Sequence, residues 1–432
     1  MLAEVRLWDR TIGAVSWDDT RNCALFEYDR TFAQSGIHVA PLTMPLGPEV
    51  YRFPELDRAT FHGLPGMLAD ALPDAFGNAL IDAWLARKGR SAASFSPIER
   101  LCYTGTRGMG ALEFKPSEGP RSRPATRIEV SEMVRLASEI LAQRDGMRAD
   151  LSKNARDHAL PEILRVGTSA GGARAKAVIA WHPQTNDVRS GQITPGDGYE
   201  HWLIKFDGVS GNRDRELADP QGYGAIEYAY SLMARAAGIK MSECRLLEEN
   251  GRRHFMTRRF DRTADGHKLH MQTLGAIAHY DFGLAGAYGY EQALLVIRRL
   301  GLGVEAVEQQ FRRMVFNVMA RNQDDHVKNI AFLMDKSGRW SLAPAYDVIH
   351  SYNPAGEWTS QHQMTVNGKR DGFTGDDLRA VAATARISRA RGLAIVEEVR
   401  AAVTRWEEFA EHAKVRAEQI TAIAADRRLS LR

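Results

Sequence analysis

Residues 324 to 347 hold the side chains whose types and spacing could do chemistry. Asp324, Asp325, His326, Lys328 and Asn329 crowd together, and Asp347 follows after a short interval. A carboxamide oxygen and a carboxylate side by side are hard oxygen ligands of the kind magnesium takes, with water and phosphate oxygens filling the rest of its shell. Asp324, set apart from that pair, could orient an attacking hydroxyl and accept its proton. Phosphoryl transfer uses this division of labour: one loop Asp faces the nucleophile, while a loop Asn and a later Asp hold the cations.

The flanking sequence must position these groups. Phe311, Met314, Val315, Val318 and Met319 recur at three-and-four spacing, which predicts a helix that gives way to polar loop residues at Arg321, Asn322 and Gln323. Ile330 to Met334 and Trp340 to Leu342 are short apolar runs around Asp335-Lys336-Ser337-Gly338, which has turn chemistry, so an antiparallel hairpin is expected. Asn329 and Asp347, just before its first strand and just after its second, should meet at one end. Two other readings stand beside this one. Acidic and amide residues between a helix and a hairpin also serve as solvated turns and caps. A metal-dependent hydrolase built on Asp324, Asp325 and His326 would leave the upstream glycine loop and lysine unexplained. An Asp-Phe-Gly tripeptide at Asp281, Phe282 and Gly283 precedes this loop and reads as coincidence.

Upstream, Ile163 to Val166 and Ala177 to Trp181 read as strands around Gly167-Thr168-Ser169-Ala170-Gly171-Gly172-Ala173. A glycine-rich loop between strands lets backbone N–H groups approach phosphates; a plain glycine turn is the alternative. It fails as a Walker A loop, because Ala173 and Arg174 follow Gly172 where Lys and Ser or Thr are needed. Lys205 then lies inside the apolar run His201 to Phe206, which is costly unless its ammonium meets an anion. An exposed strand edge would also accommodate it. A helix follows, with Ala229, Leu232, Met233 and Ala236 on one face, Glu227 in its first turn and Gly238 as its stop signal. Phe255 to Arg262 leads from this sheet-rich region toward helical sequence, where an adenine would pair with backbone groups.

The 432 residues allow two or three packed units. Fifty-seven basic against 54 acidic residues leave a net charge of +3, so no overall electrostatic footprint points to nucleic acid or membrane. Cys23, Cys102 and Cys244 are far apart without a C-x-x-C pair and look like reduced core thiols, as in a cytoplasmic protein. No signal peptide and no apolar window of roughly 18 residues is seen, so no membrane partner is expected. The expected organisation is a small sheet with helices over 1–115, a proline-spaced linker over 116–127, a sheet-rich segment with the glycine loop and Lys205 over 128–257, and a helical segment with the Asp324 loop over 258–432. In the last, Leu393, Val396, Val399, Val403, Trp406 and Ala410 keep helical spacing and read as core.

The order of glycine loop, strand Lys, helix Glu, Asp-x-x-x-x-Asn, hairpin and Asp resembles the HipA family of bacterial serine/threonine kinases, toxins of type II toxin–antitoxin modules. The likeness covers nearly the whole chain. It is most specific in Ser169 to Lys176, Ile204-Lys205-Phe206, Arg259-Phe260-Asp261-Arg262, Asp324 to Asn329 and Tyr346-Asp347. The resemblance implies an α+β, protein-kinase-like two-lobed fold with an extra N-terminal β-sheet subdomain and a mostly helical C-terminal lobe. It implies ATP and Mg2+ as cofactors, with Asp324 catalytic and Asn329 and Asp347 as magnesium ligands. Nucleotide contacts would come from Ser169, Gly171, Gly172, Ala173, Lys176, Lys205, His326 and Lys328, with Arg258 and Phe260 at the adenine hinge. Ser169 would be the autophosphorylation site, with Thr168 beside it as a second hydroxyl. Asp325 stands where the family has a small residue, so the two acids could compete for the proton-accepting role. The implied partners are a cognate HipB-like antitoxin, operator DNA reached through it, and a translation component such as an aminoacyl-tRNA synthetase as substrate. A transfer-deficient nucleotide-binding module acting through antitoxin and DNA, and a small-metabolite kinase, are the competing functions.

Overall fold

The computed structural model describes residues 1–87, 89–119, 129–143, 174–191, 198–209, 213–214, 217–218, 222–263 and 265–431. They form two compact units. One comprises Met1–His38, Leu46–Gly224 and Arg245–Met271; the other comprises Val39–Pro45, Ala225–Cys244 and Gln272–Arg432.

The first unit opens with strands whose side chains alternate between core and solvent, as a half-buried sheet requires. In β1 (Leu2–Leu7), Val5 and Leu7 point inward while Glu4 and Arg6 are less buried. β1 joins β2 (Arg10–Asp18), β3 (Cys23–Tyr28), β4 (Val50–Tyr51) and β5 (Leu112–Lys115) in a sheet ordered β4-β3-β2-β1-β5. β2 and β3 approach closely at Gly13, where a Cβ would lie 2.3 Å from the Glu27 carbonyl oxygen. The helical pattern around His62 to Lys88 becomes α1 (Arg58–Phe61), α2 (Gly66–Ala69) and α3 (Ala75–Arg87), with Leu72-Pro73-Asp74 breaking it before α3. Next, α4 (Pro97–Thr104) starts at a reciprocal cap between Ser96 and Glu99, with Pro97 in its first turn.

A second sheet carries the lysines. It consists of β6 (Lys176–Trp181), β7 (Val188–Ser190), β8 (Glu200–Lys205), β11 (Cys244–Glu249) and β12 (Arg252–Arg258), ordered β11-β12-β8-β6-β7. The short pair β9 (Arg213–Asp214) and β10 (Leu217–Ala218) stands apart from it. Its apolar side is covered by Phe76 and Leu80 of α3 and by Val130, Met133, Val134 and Ala137 of α5 (Val130–Gln143), which meet Ala177, Ile179, Trp202, Ile204 and Met256. Each large apolar side chain so buried contributes roughly 2 kcal/mol. Most of the expected linker and all of the glycine-rich stretch Gly167–Ala173 lie outside the described residues.

In the second unit, α6 (Tyr223–Ala236) ends where Gly238 takes a φ of 77°. β13 (His270–Thr273), α7 (Leu274–Ala278) and α8 (Tyr290–Arg299) lead to α9 (Val304–Ala320). Phe311, Met314, Val315, Val318 and Met319 of α9 are all buried. β14 (Ala331–Met334) and β15 (Trp340–Leu342) form the expected hairpin. α10 (Gly375–Thr384), α11 (Arg389–Thr404), α12 (Trp406–His412) and α13 (Ala417–Asp426) close the chain. Leu393 departs from expectation at 43% exposed. The buried stripe of α11 runs through Gly392, Ile395, Val396, Val399, Ala402 and Val403, and Leu393 falls off its edge. No described helix is long and apolar enough to cross a membrane. The three cysteines are buried and unbridged.

Candidate active site

The loop bearing Asp324 is built by a sharp exit from α9. Arg321 caps the helix in the left-handed region, φ 57° and ψ 38°, and its N–H donates to the Asn317 carbonyl. A non-glycine residue there costs roughly 1 kcal/mol, and Arg321 is held in place by Nε donating to the Asp426 carbonyl at 2.8 Å and by stacking over Tyr352 at 4.1 Å. Ser351 Oγ then accepts from the backbone N–H groups of Gln323 and Asp324, at 2.8 and 3.0 Å. The backbone entering Asp324 is therefore pinned on both sides.

The Asp324 side chain is partly buried. Its Oδ1 accepts from the Trp358 indole N–H at 2.6 Å and lies 3.8 Å from His326 Nε2. His326 Nδ1 accepts from the Lys328 backbone N–H at 3.2 Å. That assigns the ring proton of the neutral imidazole to Nε2, facing the carboxylate. Asn329 Nδ2 donates to the Asp324 carbonyl at 2.7 Å, which fixes which way the carboxamide points and turns Oδ1 to the other side. Lys328 Nζ sits 4.4 Å from the centre of the Phe282 ring, and Phe282 also lies against His326. The Asp-Phe-Gly tripeptide thus supplies an aromatic wall to the loop, which its position in the sequence did not suggest.

The hairpin behaves as its turn chemistry predicts. Phe332, Leu333 and Met334 face Leu342, Ser341 and Trp340, and the turn closes with the Gly338 N–H on the Asp335 carbonyl at 2.9 Å. Its open end is tied where Tyr346 OH donates to the Lys328 carbonyl at 2.5 Å. Asp347 follows with a φ of 55°, a second left-handed non-glycine residue. Asn329 and Asp347 therefore flank one tied end of the hairpin. Backbone strain of this kind persists where surrounding contacts over-determine it.

Asp325 is a different kind of acid. It is 3% exposed, and both oxygens are engaged: Oδ2 with Tyr290 OH at 2.7 Å and His362 Nδ1 at 2.8 Å, Oδ1 with the Gln363 N–H at 2.8 Å. Burial pushes its carboxyl up, but His362 and the donated hydrogen bonds outweigh this and hold it below the ordinary carboxylate range. Asp325 is thus turned into the core, whereas Asp324 is half-buried. For the same reason Asp324, Asp325 and His326 do not converge as a metal cluster. Among the described residues no group of three or more His, Cys, Asp or Glu is arranged to hold a metal.

In the first unit, Lys176 and Lys205 lie directly opposite each other on β6 and β8, and Phe255 is the next partner of Lys205 on β12. Opposed residues in an antiparallel pair project from the same face. β8 is interior to its sheet and Lys205 is 9% exposed, so the strand-edge alternative is ruled out. Lys176 is 2% exposed, with Nζ 3.5 Å from Asp74 Oδ2, and Asp74 in turn accepts from the Gly77 N–H at the start of α3. Two ammonium groups therefore project from one buried face, that of Lys176 already beside the Asp74 carboxylate. Arg258 is exposed at the end of β12, 3.6 Å from Glu200, and Phe260 is half-buried just beyond it. Ser169, Gly171, Gly172 and Ala173 lie outside the described residues.

A family model described as the HipA-like C-terminal domain matches residues 168–406, more than half of the chain, and one described as the HipA N-terminal domain matches residues 3–115. The chain belongs to the HipA family. HipA of Shewanella oneidensis MR-1, solved with HipB and its operator DNA, superposes with a TM-score of 0.67 at 16% identity, covering 98% of this chain and 94% of that one. The fold is therefore that of HipA: α+β and kinase-like, with the additional N-terminal sheet. "Putative kinase Y4dM" of Sinorhizobium fredii is 26% identical over 222 residues, 47% of this chain and 51% of that protein. The chain thus matches about half the length of that curated relative. The Helicobacter pylori proinflammatory kinase CtkA matches with a TM-score of 0.30 at 14% identity, over 51% of this chain and 92% of that one.

The HipA motif Arg259-Phe260-Asp261-Arg262 proves to be a clamp. Fully buried Asp261 accepts from Arg259 at 2.8 and 2.6 Å, from Arg262 at 2.8 Å and from the Gly110 N–H at 2.7 Å. Burial opposes its ionisation, yet the two guanidinium groups hold its carboxyl far below the usual range. Gly110 belongs to the segment leading into β5, so this clamp joins the N-terminal sheet to the end of β12. Sequence reasoning missed Trp358, Ser351 and Asp74. None carries a local signal, since each meets its partner across a long stretch of chain.

Proposed function

We propose that this HipA-family chain is an ATP- and Mg2+-dependent protein kinase that transfers the γ-phosphoryl group to a serine or threonine hydroxyl. The observation that carries the reading is the Asp324 to Asn329 loop, in which the Asp324 backbone is pinned by Ser351 while the Asn329 carboxamide is locked against the Asp324 carbonyl. Magnesium fits the donor set: the locked carboxamide turns its oxygen away from the Asp324 carbonyl, and Asp347 follows the tied end of the hairpin. Asn329 and Asp347 would hold the ion, which when bound neutralises charge on the phosphates. Asp324 orients the acceptor hydroxyl and takes its proton. Lys176 and Lys205, buried on one sheet face, contact phosphate oxygens, with His326 and Lys328 as further nucleotide contacts and Arg258 and Phe260 toward the adenine. The glycine-rich stretch contributes Ser169, Gly171, Gly172 and Ala173, and Ser169 is the autophosphorylation site.

In this reading the chain is the toxin of a toxin–antitoxin module. Its partner is a HipB-like antitoxin, its contact with operator DNA runs through that partner, and its substrate is a translation component such as an aminoacyl-tRNA synthetase. The structural relative solved with HipB and operator DNA supports the partner. Intact mass after incubation with ATP and magnesium tests the chemistry. One added phosphate is expected, absent in Ser169→Ala and in Asp324→Asn, with nucleotide binding kept in the latter. Full transfer by Asp324→Asn would mean that another group serves as the base.

A further inference from the structure

We infer that Trp358 is a positioning residue for Asp324, and that Asp325 acts on the same carboxylate through it. This rests on the reading of Asp324 as the group that accepts the hydroxyl proton. The indole N–H donates to Asp324 Oδ1 at 2.6 Å, a short contact for a nitrogen donor and a carboxylate. A donor fixed on one oxygen sets the plane of the carboxylate, and so sets where its second oxygen can lie.

Trp358 can do this only if it is itself held. Its carbonyl accepts from Gln363 Nε2, which also donates to the carbonyls of Gln361 at 3.0 Å and Gln323 at 3.3 Å. The Gln363 backbone N–H is in turn held by Asp325 Oδ1 at 2.8 Å. A continuous path therefore runs from the buried acid through Gln363 and the indole to its half-buried neighbour Asp324. From the other side, Tyr290 OH bridges Asp325 and Asn317, Asn322 Nδ2 donates to Asn317, and Ser351 Oγ donates to Asn322 and accepts from the Asp324 N–H. Two consecutive acids divide the work: Asp325 braces the loop from the core, and Asp324 is left with one oxygen oriented by the indole.

The test uses the full chain with ATP and magnesium. The γ-phosphate lost from ATP, whether to the protein's own hydroxyls or to water, is counted over a range of ATP concentrations. Trp358→Phe and Trp358→Tyr keep an aromatic ring and remove the indole N–H. We expect a kcat roughly tenfold lower with the KM for ATP within about twofold, because the carboxylate loses the donor that orients it while the nucleotide contacts stay in place. A kcat unchanged in both variants overturns the inference, as does loss of ADP binding in both, which would make Trp358 part of the framework only. Asp324→Asn, run in parallel, separates the two ideas. If it retains transfer, the reading of Asp324 is what fails; if it is inactive while the tryptophan variants match wild type, only the positioning role fails.

Discussion

Replacing Asp325 by Leu is the sharpest perturbation of the loop's support. The substitution fills the space while leaving three buried donors without an acceptor: Tyr290 OH, His362 Nδ1–H and the Gln363 N–H. Each orphaned donor costs about 1–3 kcal/mol, and removing one partner of a buried charged pair typically costs about 3–5 kcal/mol in total. At about 3 °C per kcal/mol for a unit of this size, Tm should fall by roughly 9–15 °C at neutral pH. Asp325→Asn should cost less, because its carboxamide oxygen can still accept from Gln363 while the charge is lost. The pH dependence supplies a second check. Asp325 has a folded-state pKa below its ordinary value, so its contribution is fully present above about pH 4 and is lost as pH falls through the depressed folded value. The gap between wild type and Asp325→Asn should therefore narrow below about pH 4. Scanning calorimetry of the three proteins from acid to neutral pH measures both effects. A Tm loss under about 3 °C for the Leu variant would refute the account of Asp325 as a committed core acid.

Further predictions concern the lysine face and the clamp. Lys205→Met should abolish most of the thermal stabilisation given by ATP, which at a hundredfold excess over Kd amounts to about 2.7 kcal/mol for a competent site. An unchanged nucleotide-dependent Tm shift in that variant would remove Lys205 from the phosphate contacts. Asp261→Asn should destabilise the first unit by about 3–5 kcal/mol, since two buried guanidinium groups lose their counter-charge. Urea unfolding would measure it, and a change under about 1 kcal/mol would show that the Arg259–Asp261–Arg262 cluster is dispensable.

What the sequence revealed and what it hid follow one physical division. The hairpin was legible because its turn chemistry and its two apolar runs are local, and the observed register needs nothing from elsewhere in the chain. The buried face of α9 was legible because helical periodicity is also local. Lys205 stood out because a charge in an apolar run is an anomaly at short range. Periodicity alone misjudged Leu393, which lies one step off the stripe that α11 buries. It was also silent on Asp324 and Asp325, which are the same residue type at consecutive positions. What separates them is their distant partners: Tyr290, His362 and Gln363 draw one carboxylate inward, while Trp358 meets the other at the surface of the loop. Asp74 makes the same point in the first unit. Next to a proline it reads as a helix breaker, yet its carboxylate faces the buried ammonium of Lys176 more than a hundred residues later in the chain. Local pattern thus names the groups that can react, and the long-range polar contacts decide which of them is oriented to do so.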